Sequence, residues 1–226
     1  GYTITNKLVG TVSVAGEKTW QVDDETKQIP AEVTVELLQN GSSIAEKTIG
    51  KDGDWSYSFT GLNEYDANGV KYSYSVQEKG EKNGSVTIGN ITYAVSHDGS
   101  DIKNTVTDTT TIQGTKIWVD GNNALNTRPE ASAVKIGLYN GSTLVTSTNL
   151  TVDDAGVYHY QFNDVPVYDG AGKKIDYTVR EMSGDNAISN HGEIAFANGN
   201  YVVTYGENTI TNTIKQETIT VYGKKV

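Results

Sequence analysis

Cysteine is absent from this chain of 226 residues, so no disulfide, thiolate nucleophile or thiolate metal site can form. Proline (3 residues) and phenylalanine (3 residues) are scarce, and no long stretch has a helical period. An excess of basic residues is also missing, since the net charge is −10. Nucleic acids and anionic membranes both need a basic patch, so we expect neither as a partner.

Targeting features are missing as well. The sequence shows no signal peptide, no apolar run of membrane-spanning length and no C-terminal sorting motif. We therefore expect either a cytoplasmic protein or a segment of a longer one.

What the chain does contain favours strands and tight turns. Tyrosine (14) and glycine (24) are abundant, and Asn-Gly pairs at 40–41, 68–69, 83–84 and 140–141 are strong turn signals. Short alternating runs such as VTVEL (33–37) and WSYSF (55–59) lie between such turns. About seven short strands in about 100 residues predict an all-β, immunoglobulin-like sandwich.

The chain repeats itself in order, which predicts two tandem domains. The matched blocks are GEKTW (16–20) with GTKIW (114–118), QNGSS (39–43) with YNGST (139–143), WSYSFTGL (55–62) with YHYQFNDV (158–165), YSYSVQE (72–78) with IDYTVRE (175–181), and DIKNTV (101–106) with TITNTI (209–214). At the ends, ITNKL (4–8) resembles the last block, and ITVYGKKV (219–226) resembles VSVAGEKT (12–19). We therefore expect a segment cut from a longer array. Its predicted parts are the tail of a preceding repeat (1–7), a first domain (8–107), a second domain (108–215) and the start of a following repeat (216–226).

Each predicted domain places three polar residues on apolar strand faces. Side chains alternate between faces along a strand, so Lys18 shares a face with Gly16 and Trp20. The same test places a glutamate and an asparagine inward on later strands, and all three positions recur in the second repeat. The two sets are Lys18, Glu78 and Asn104, and Lys116, Glu181 and Asn212.

Three interpretations of this set are open. The lysine and glutamate can form a buried ion pair with the asparagine as a hydrogen-bond partner, or the strand ends can reach solvent at the rim. The third interpretation is covalent. In an apolar site the pKa of an amine falls and that of a carboxyl group rises, which yields a neutral, nucleophilic amine. A protonated glutamate bonded to the asparagine oxygen would polarise the amide and relay protons to the departing ammonia. The product is a Lys–Asn isopeptide bond, formed once per domain.

The motifs G-x-K-x-W, Y-x-V-x-E and I-x-N-T, found twice in this order, resemble the B-type repeat of collagen adhesins, the CnaB-like domain. The resemblance covers nearly the whole chain. It implies two tandem inverse immunoglobulin-like sandwiches whose first and last strands are cross-linked. It also implies Lys18–Asn104 and Lys116–Asn212 as the bonded pairs, with Glu78 and Glu181 as the catalytic residues.

The two end fragments contain one reactive residue each. Asn6 aligns with the bonding asparagines and Lys225 with the bonding lysines, but neither has its native partner in this chain. We expect both to be unbonded and mobile.

The resemblance further implies a secreted protein that is attached to the cell wall of a Gram-positive bacterium. These repeats usually act as stalk or spacer domains, and a pilin shaft is a related possibility. The expected partners are neighbouring repeats of the same chain, the cell wall through regions outside this segment, and an unknown host ligand. We expect a monomer without cofactor or metal.

A different hypothesis is a module that binds a host protein or glycan through exposed loops. Its candidates are Tyr65, Tyr168 and the loops near Asp23–Glu25 and Asp120–Asn123, since tyrosine and asparagine on sandwich loops can form a binding surface. Calcium binding is a weaker possibility, because these acidic loops lack the spacing of a D-x-[DN]-x-[DN]-G loop. Enzymatic turnover is disfavoured, because the three histidines are at unmatched positions without zinc-like spacing, and no nucleophile elbow is present.

Overall fold

Strands account for most of the computed structural model, which describes residues 2, 4 and 6–216. The described residues divide into two compact units. Unit 1 ends at Asp108 and also includes Pro166–Lys174, and unit 2 consists of Thr109–Val165 and the residues from Ile175 onward. Within the described part of the chain, no helix has the length and apolar character needed to cross a membrane.

Unit 1 is a sandwich of two sheets. Its strands are β1 (Thr11–Gln21), β2 (Glu32–Gln39), β3 (Ser42–Gly50), β4 (Ser56–Asn63), β5 (Tyr74–Glu78), β6 (Ser85–Ile88), β7 (Ile91–Asp98) and β8 (Asp101–Thr107). The larger sheet has the order β4-β1-β8-β7-β6 and the smaller one the order β3-β2-β5. The helical elements are the short helix α1 (Glu25–Gln28) and a 3₁₀ turn at Lys51–Gly53.

The strands of the second repeat form a matching pair of sheets. They are β9 (Thr109–Val119), β10 (Lys135–Asn140), β11 (Thr143–Asn149), β12 (Thr151–Val152), β13 (Tyr158–Pro166), β14 (Tyr177–Ser183), β15 (Asn186–Ala187), β16 (Glu193–Phe196), β17 (Gly199–Gly206) and β18 (Thr209–Ile214), with a 3₁₀ turn at Ala131–Ala133. One sheet has the order β12-β13-β9-β18-β17-β16 and the other the order β11-β10-β14-β15.

The first and last strands of each unit are parallel neighbours. In unit 1, β1 pairs with β8 in a register that sets Lys18 opposite Ile102 and Trp20 opposite Asn104. In unit 2, β9 pairs with β18 in the same way, with Lys116 opposite Ile210. A parallel pair needs a long crossover connection. Here that connection is nearly the whole domain.

Each unit has its own hydrophobic core between its sheets. In unit 1 the core contains Val35, Leu37 and Tyr93, with at most 1% of each side chain exposed. Ile136 and Tyr201 are equally buried in unit 2. The predicted fold class, all-β with two immunoglobulin-like sandwiches, is confirmed.

Asn-Gly turns close the hairpins where the sequence predicts them. Asn40 and Gly41 join β2 to β3 and both have positive φ, 51° and 83°. Two positive φ values define a type I′ turn, whose twist matches that of the flanking strands. Asn83 and Gly84 also both have positive φ, 52° and 71°.

Gly16 is required by a close approach of backbone within unit 1. A Cβ at this position would overlap the carbonyl group of Ser100 and would lie 3.0 Å from the Tyr57 hydroxyl. That hydroxyl donates a hydrogen bond to the same carbonyl of Ser100. The turn before β8 is therefore held against β1 beside the inward lysine.

We predict that Gly16→Ala destabilises unit 1 by about 1–3 kcal/mol, because the added methyl group must displace a backbone carbonyl. Denaturant unfolding measures the change. Gly53→Ala is the matched control, since a Cβ there meets no atom within 4 Å among the described residues. Equal stability of the two variants would contradict the close approach.

Candidate functional site

The inward lysines lie near the ends of the first strands. Burial alternates along β1, so that Lys18 has only 3% of its surface exposed while Thr19 is exposed. Lys116 on β9 is buried to the same extent. The strand period thus places an amine inside each sandwich, on the face occupied by Gly16 and Trp20.

The inward asparagines lie on the neighbouring last strands. Asn104 and Asn212 are completely buried. Asn104 is opposite Trp20, two positions beyond the residue that faces Lys18. Lysine and asparagine are therefore diagonal neighbours on one face of the parallel pair.

The glutamates come from the facing sheets. Glu78 ends β5 and is 2% exposed, and Glu181 on β14 is completely buried. Glu78 Oε2 lies 3.0 Å from Lys18 Nζ and accepts a hydrogen bond of 2.8 Å from Asn104 Nδ2. The structure thus brings the three candidate residues of unit 1 together across the sandwich.

Unit 2 contains the same arrangement, but its lysine and asparagine contact different oxygens of the carboxylate. Lys116 Nζ donates to Glu181 Oε2, and Asn212 Nδ2 donates to Glu181 Oε1 over 2.9 Å. One carboxylate in each unit therefore contacts both the amine and the carboxamide.

Burial controls the electrostatics of the amines. Loss of hydration lowers the pKa of Lys18 and that of Lys116 to about 8, although the adjacent carboxylates Glu78 and Glu181 act in the opposite direction. The pKa of each lysine is thereby moved towards neutral pH, so that a larger fraction of the amine is neutral there.

An indole ring also flanks each amine. Lys18 Nζ lies 4.4 Å from the centroid of the Trp20 ring, and Lys116 Nζ lies 5.0 Å from that of Trp118. A ring face attracts an ammonium ion, so these tryptophans favour the charged amine while they exclude water from it.

The carboxamides are oriented differently from the sequence-based expectation that the glutamate binds the amide oxygen. In both units the amide nitrogen faces the glutamate. An ionised carboxylate can only accept hydrogen bonds, so it selects the N–H₂ end of the amide. Among the described residues, Asn104 Oδ1 and Asn212 Oδ1 are buried without a hydrogen-bond partner.

The hydrogen bonding of the unit 1 site is incomplete. Lys18 Nζ is near enough to Glu78 for an ion pair, but it makes no directed hydrogen bond within the described part of the chain. Glu78 Oε1 is likewise buried and unpaired there. Buried polar atoms without partners cost free energy, so the site is not explained by stability alone.

Sequence reasoning missed the groups behind the glutamates. In unit 1 the Glu78 backbone N–H donates to Glu81 (3.3 Å), whose carboxylate contacts His97 Nε2 at 3.0 Å. In unit 2 the Glu181 backbone N–H donates instead to the Tyr205 hydroxyl (3.1 Å). His97 on β7 and Tyr205 on β17 belong to the sheets opposite β5 and β14, so the packing of the two sheets brings these residues together, and no local motif marks them.

The two end fragments contain the candidates Asn6 and Lys225. Asn6 is exposed and lies outside any strand. Lys225 lies outside the described residues.

The loops considered for ligand binding make contacts within the fold. The Tyr168 hydroxyl accepts a hydrogen bond from Gln28. Asp24 caps α1 by accepting from the Thr26 N–H. Asp120 is buried and forms a two-point ion pair with Arg128. These groups are therefore already used by the protein itself.

Comparisons with known proteins agree on one family. The model of the Cna protein B-type domain matches residues 14–105 and 112–213. The collagen adhesin of Staphylococcus aureus is 35% identical over 192 residues, which are 80% of this chain and 15% of that protein. The chain therefore spans a small part of this curated relative.

Two solved structures are also similar. The first contains two B repeat units of the collagen binding protein of S. aureus, with 29% identity, a TM-score of 0.44, and coverage of 91% of this chain and 50% of that one. The second is a single B repeat unit of the same protein, with 24% identity, a TM-score of 0.36, and coverage of 92% and 100%.

The lowered pKa of Lys18 predicts that the stability of unit 1 depends on pH as long as Lys18 is a free amine. The variant Asn104→Ala ensures this, because it removes the asparagine side chain. Below about pH 8 the amine is charged in both the folded and unfolded states, and the cost of burying the ammonium is fully present. Between about 8 and 10.5 the unfolded state binds more protons, so stability rises with pH. We expect a rise of up to about 3 kcal/mol.

Urea unfolding of the Asn104→Ala chain between pH 7 and 10.5 measures this rise in its first transition. The control adds Lys18→Met to the same variant and removes the titrating group. A similar rise in both chains would show that other groups cause it.

Proposed function

The chain belongs to the Cna protein B-type domain family, and we propose that its two units are stalk or spacer repeats of a cell-surface adhesin, each closed by a Lys–Asn isopeptide bond that the unit forms itself. The observation that carries this proposal is the meeting of Lys18, Glu78 and Asn104 in the dry interior of unit 1, with the same three residue types repeated in unit 2. The reaction happens once in each unit, so it is not enzymatic turnover.

The first step moves a proton within the ion pair. Transfer from Lys18 Nζ to Glu78 leaves a neutral amine and a neutral carboxylic acid, and the lowered pKa of Lys18 favours it. The neutral amine has a free electron pair, which the ammonium ion lacks. Half a turn of the Asn104 side chain about its Cβ–Cγ bond then presents Oδ1 to the acid proton, which polarises the amide.

The second step exchanges one amide for another. Lys18 Nζ attacks Asn104 Cγ, the Nζ–Cγ bond forms and the Cγ–Nδ2 bond breaks. Glu78 takes a proton from the attacking nitrogen and delivers one to Nδ2, so that ammonia leaves. No oxidant or cofactor is consumed. The fixed geometry of the fold supplies the main rate advantage, because amine and amide are held as neighbours.

The bond would act mechanically as well as thermodynamically. Force that enters at the start of β1 and leaves at the end of β8 would pass through the Lys18–Asn104 bond, so residues 19–103 would carry none of it. Closure of a loop of this size also stabilises the fold by about 4–5 kcal/mol in the chain-entropy model for disulfides. Both effects suit an extracellular, wall-attached stalk under shear, and neither needs cysteine.

The relatives support this setting. The curated relative is named a collagen adhesin. From that similarity we propose that the present units lie on a bacterial surface.

Intact mass tests the bonds directly. We expect the chain to weigh two ammonias less than its sequence predicts. Glu78→Ala and Glu181→Ala should each restore one ammonia, because each removes the proton relay of one unit. Glu46→Ala is the matched control, since Glu46 forms an exposed ion pair with Lys79 and should leave the mass unchanged. An unmodified mass for the natural chain would refute the proposal.

Pulling the chain by its two ends tests the mechanical role. The natural chain should show no unfolding steps. The double variant Glu78→Ala, Glu181→Ala should release two segments, each roughly 300 Å in contour length at about 3.3–3.6 Å per residue. Single-molecule force spectroscopy measures these steps. Steps of this length in the natural chain would show that force is not carried by the bonds.

A further inference from the structure

A loop of unit 1 covers part of the surface of that unit, and the equivalent surface of unit 2 is an open cleft. In unit 1, Tyr168 packs against the hydrophobic core, and its hydroxyl accepts a hydrogen bond of 2.9 Å from Gln28 Nε2. The backbone N–H of Val167 donates to the Asp108 carbonyl over 2.8 Å. We call Tyr168–Lys174 a tyrosine loop, and we call the surface beneath it the unit 1 socket.

Two lysines complete this contact. Lys173 Nζ donates to the Val22 carbonyl at 3.0 Å, and the backbone N–H of Lys174 donates to Asp23 Oδ1 at 3.2 Å. The socket is thus built from residues after β1, from the end of α1 and from the residue after β8. Its members are Val22, Asp23, Gln28 and Asp108.

The corresponding positions of unit 2 are fixed by the internal repeat. Three of them follow Trp118 or Asn212 at the spacings at which Val22, Asp23 and Asp108 follow Trp20 or Asn104. The fourth, Thr127, lies one residue further from its tryptophan than Gln28 does, and it is matched by contact: its hydroxyl bonds to that of Tyr201, as the Gln28 carbonyl accepts from the Tyr93 hydroxyl. The corresponding residues are Asp120, Gly121, Thr127 and Gln216.

All four of these residues line one cleft of about 790 Å³. Leu125, Phe196 and Ile214 add apolar surface to it, and Leu125 is 75% exposed. In the part of unit 2 that the structure describes, no tyrosine loop occupies this cleft. The unit 2 cleft is therefore the open equivalent of a socket that is filled in unit 1.

The chain contains a second tyrosine loop, Tyr65–Lys71, with the same internal construction. Asp66 Oδ1 accepts from the N–H groups of Asn68 and Val70 at 2.8 Å, as Asp169 accepts from the corresponding groups of its own loop at 2.9 Å. In both loops the tyrosine forms a β-bridge with the final lysine. Val70, which is 62% exposed, occupies the place of Lys173.

This second loop also repeats a socket contact. The residue before its tyrosine, Glu64, donates its backbone N–H to the Gly10 carbonyl over 2.9 Å. Gly10 is the fourth residue after Asn6, as Asp108 is the fourth after Asn104 and Gln216 the fourth after Asn212. The same backbone contact therefore occurs at two of the three equivalent positions, and the third lies at the rim of the open cleft.

We propose that the unit 2 cleft is a docking site for the tyrosine loop of a following B-type repeat, with a loop of the Tyr65–Lys71 kind as the occupant. Its tyrosine meets Thr127, the preceding N–H meets the Gln216 carbonyl, and the residue at the Val70 position covers the apolar wall at Leu125. The sequence ITVYGKKV at 219–226, which resembles the start of β1, supports a repeat at this place.

A tandem chain tests the proposal. Residues 1–218 are joined to residues 12–226 of a second copy, which keeps the natural linker. Because the chain lacks cysteine, Thr127→Cys in the first copy is the only thiol. We expect it to react with a maleimide about tenfold more slowly than Thr127→Cys in the 226-residue chain, which corresponds to about 1.4 kcal/mol of docking free energy.

The same substitution at two places supplies the matched control. Tyr65→Ala in the second copy should restore the fast reaction, whereas Tyr65→Ala in the first copy should not. In the 226-residue chain, Gln28→Cys should react slowly and Tyr168→Ala should accelerate it.

Equal thiol reactivity in the tandem and single chains, or restoration by both Tyr65 variants, would overturn the docking site. Intact mass of the tandem chain reports the isopeptide bonds separately, so failure of docking and failure of the proposed bonds are distinguishable.

Discussion

A lysine amine enclosed between two sheets is the constraint on which each unit depends. An unpaired ammonium ion in such a place would cost many kcal/mol. Glu78 reaches Lys18 from the opposite sheet and also accepts a hydrogen bond from Asn104, which lies on the strand beside Lys18, so the three side chains tie both layers of unit 1 together. Because buried polar atoms remain unpaired around this set, the arrangement is poorly suited to simple stabilisation and well suited to a reaction that removes the charge.

Chemistry and mechanics both follow from the parallel pairing of the first and last strands. The register between β1 and β8 makes lysine and asparagine diagonal neighbours, which would give the amine its target in the proposed reaction. The same register joins the two strands through which force enters and leaves a domain in tandem. An antiparallel pair linked by a short hairpin would offer the contact but would enclose only a few residues. Because the crossover is long, the one proposed bond would shield nearly the whole fold.

Much of this could be predicted from the sequence because its pattern is local and occurs twice. The period of two along β1 places Lys18 inward. Because a lysine recurs at the matched position, Lys116, the inward lysine is not a chance feature of one strand. Sequence could not predict which end of the amide faces Glu78, since this depends on the charge of the carboxylate. It also missed the contact of Glu81 with His97, because Glu81 follows β5 in one sheet and His97 lies on β7 in the other, and only the packing of the two sheets brings them together.

The two units share some parts of the site and differ in others. Lysine, glutamate, asparagine and the flanking tryptophan are present in both, whereas the group behind the glutamate is a Glu–His pair in unit 1 and the Tyr205 hydroxyl in unit 2. The tryptophan rings attract the charged amine, so this attraction by itself does not favour a neutral nucleophile. Their large apolar rings keep water from the amine, and a dry site lowers the pKa of a lysine more than a ring face raises it. In the proposed reaction the enclosure would activate the lysine and the glutamate would move the protons, and the groups behind the glutamate are free to differ.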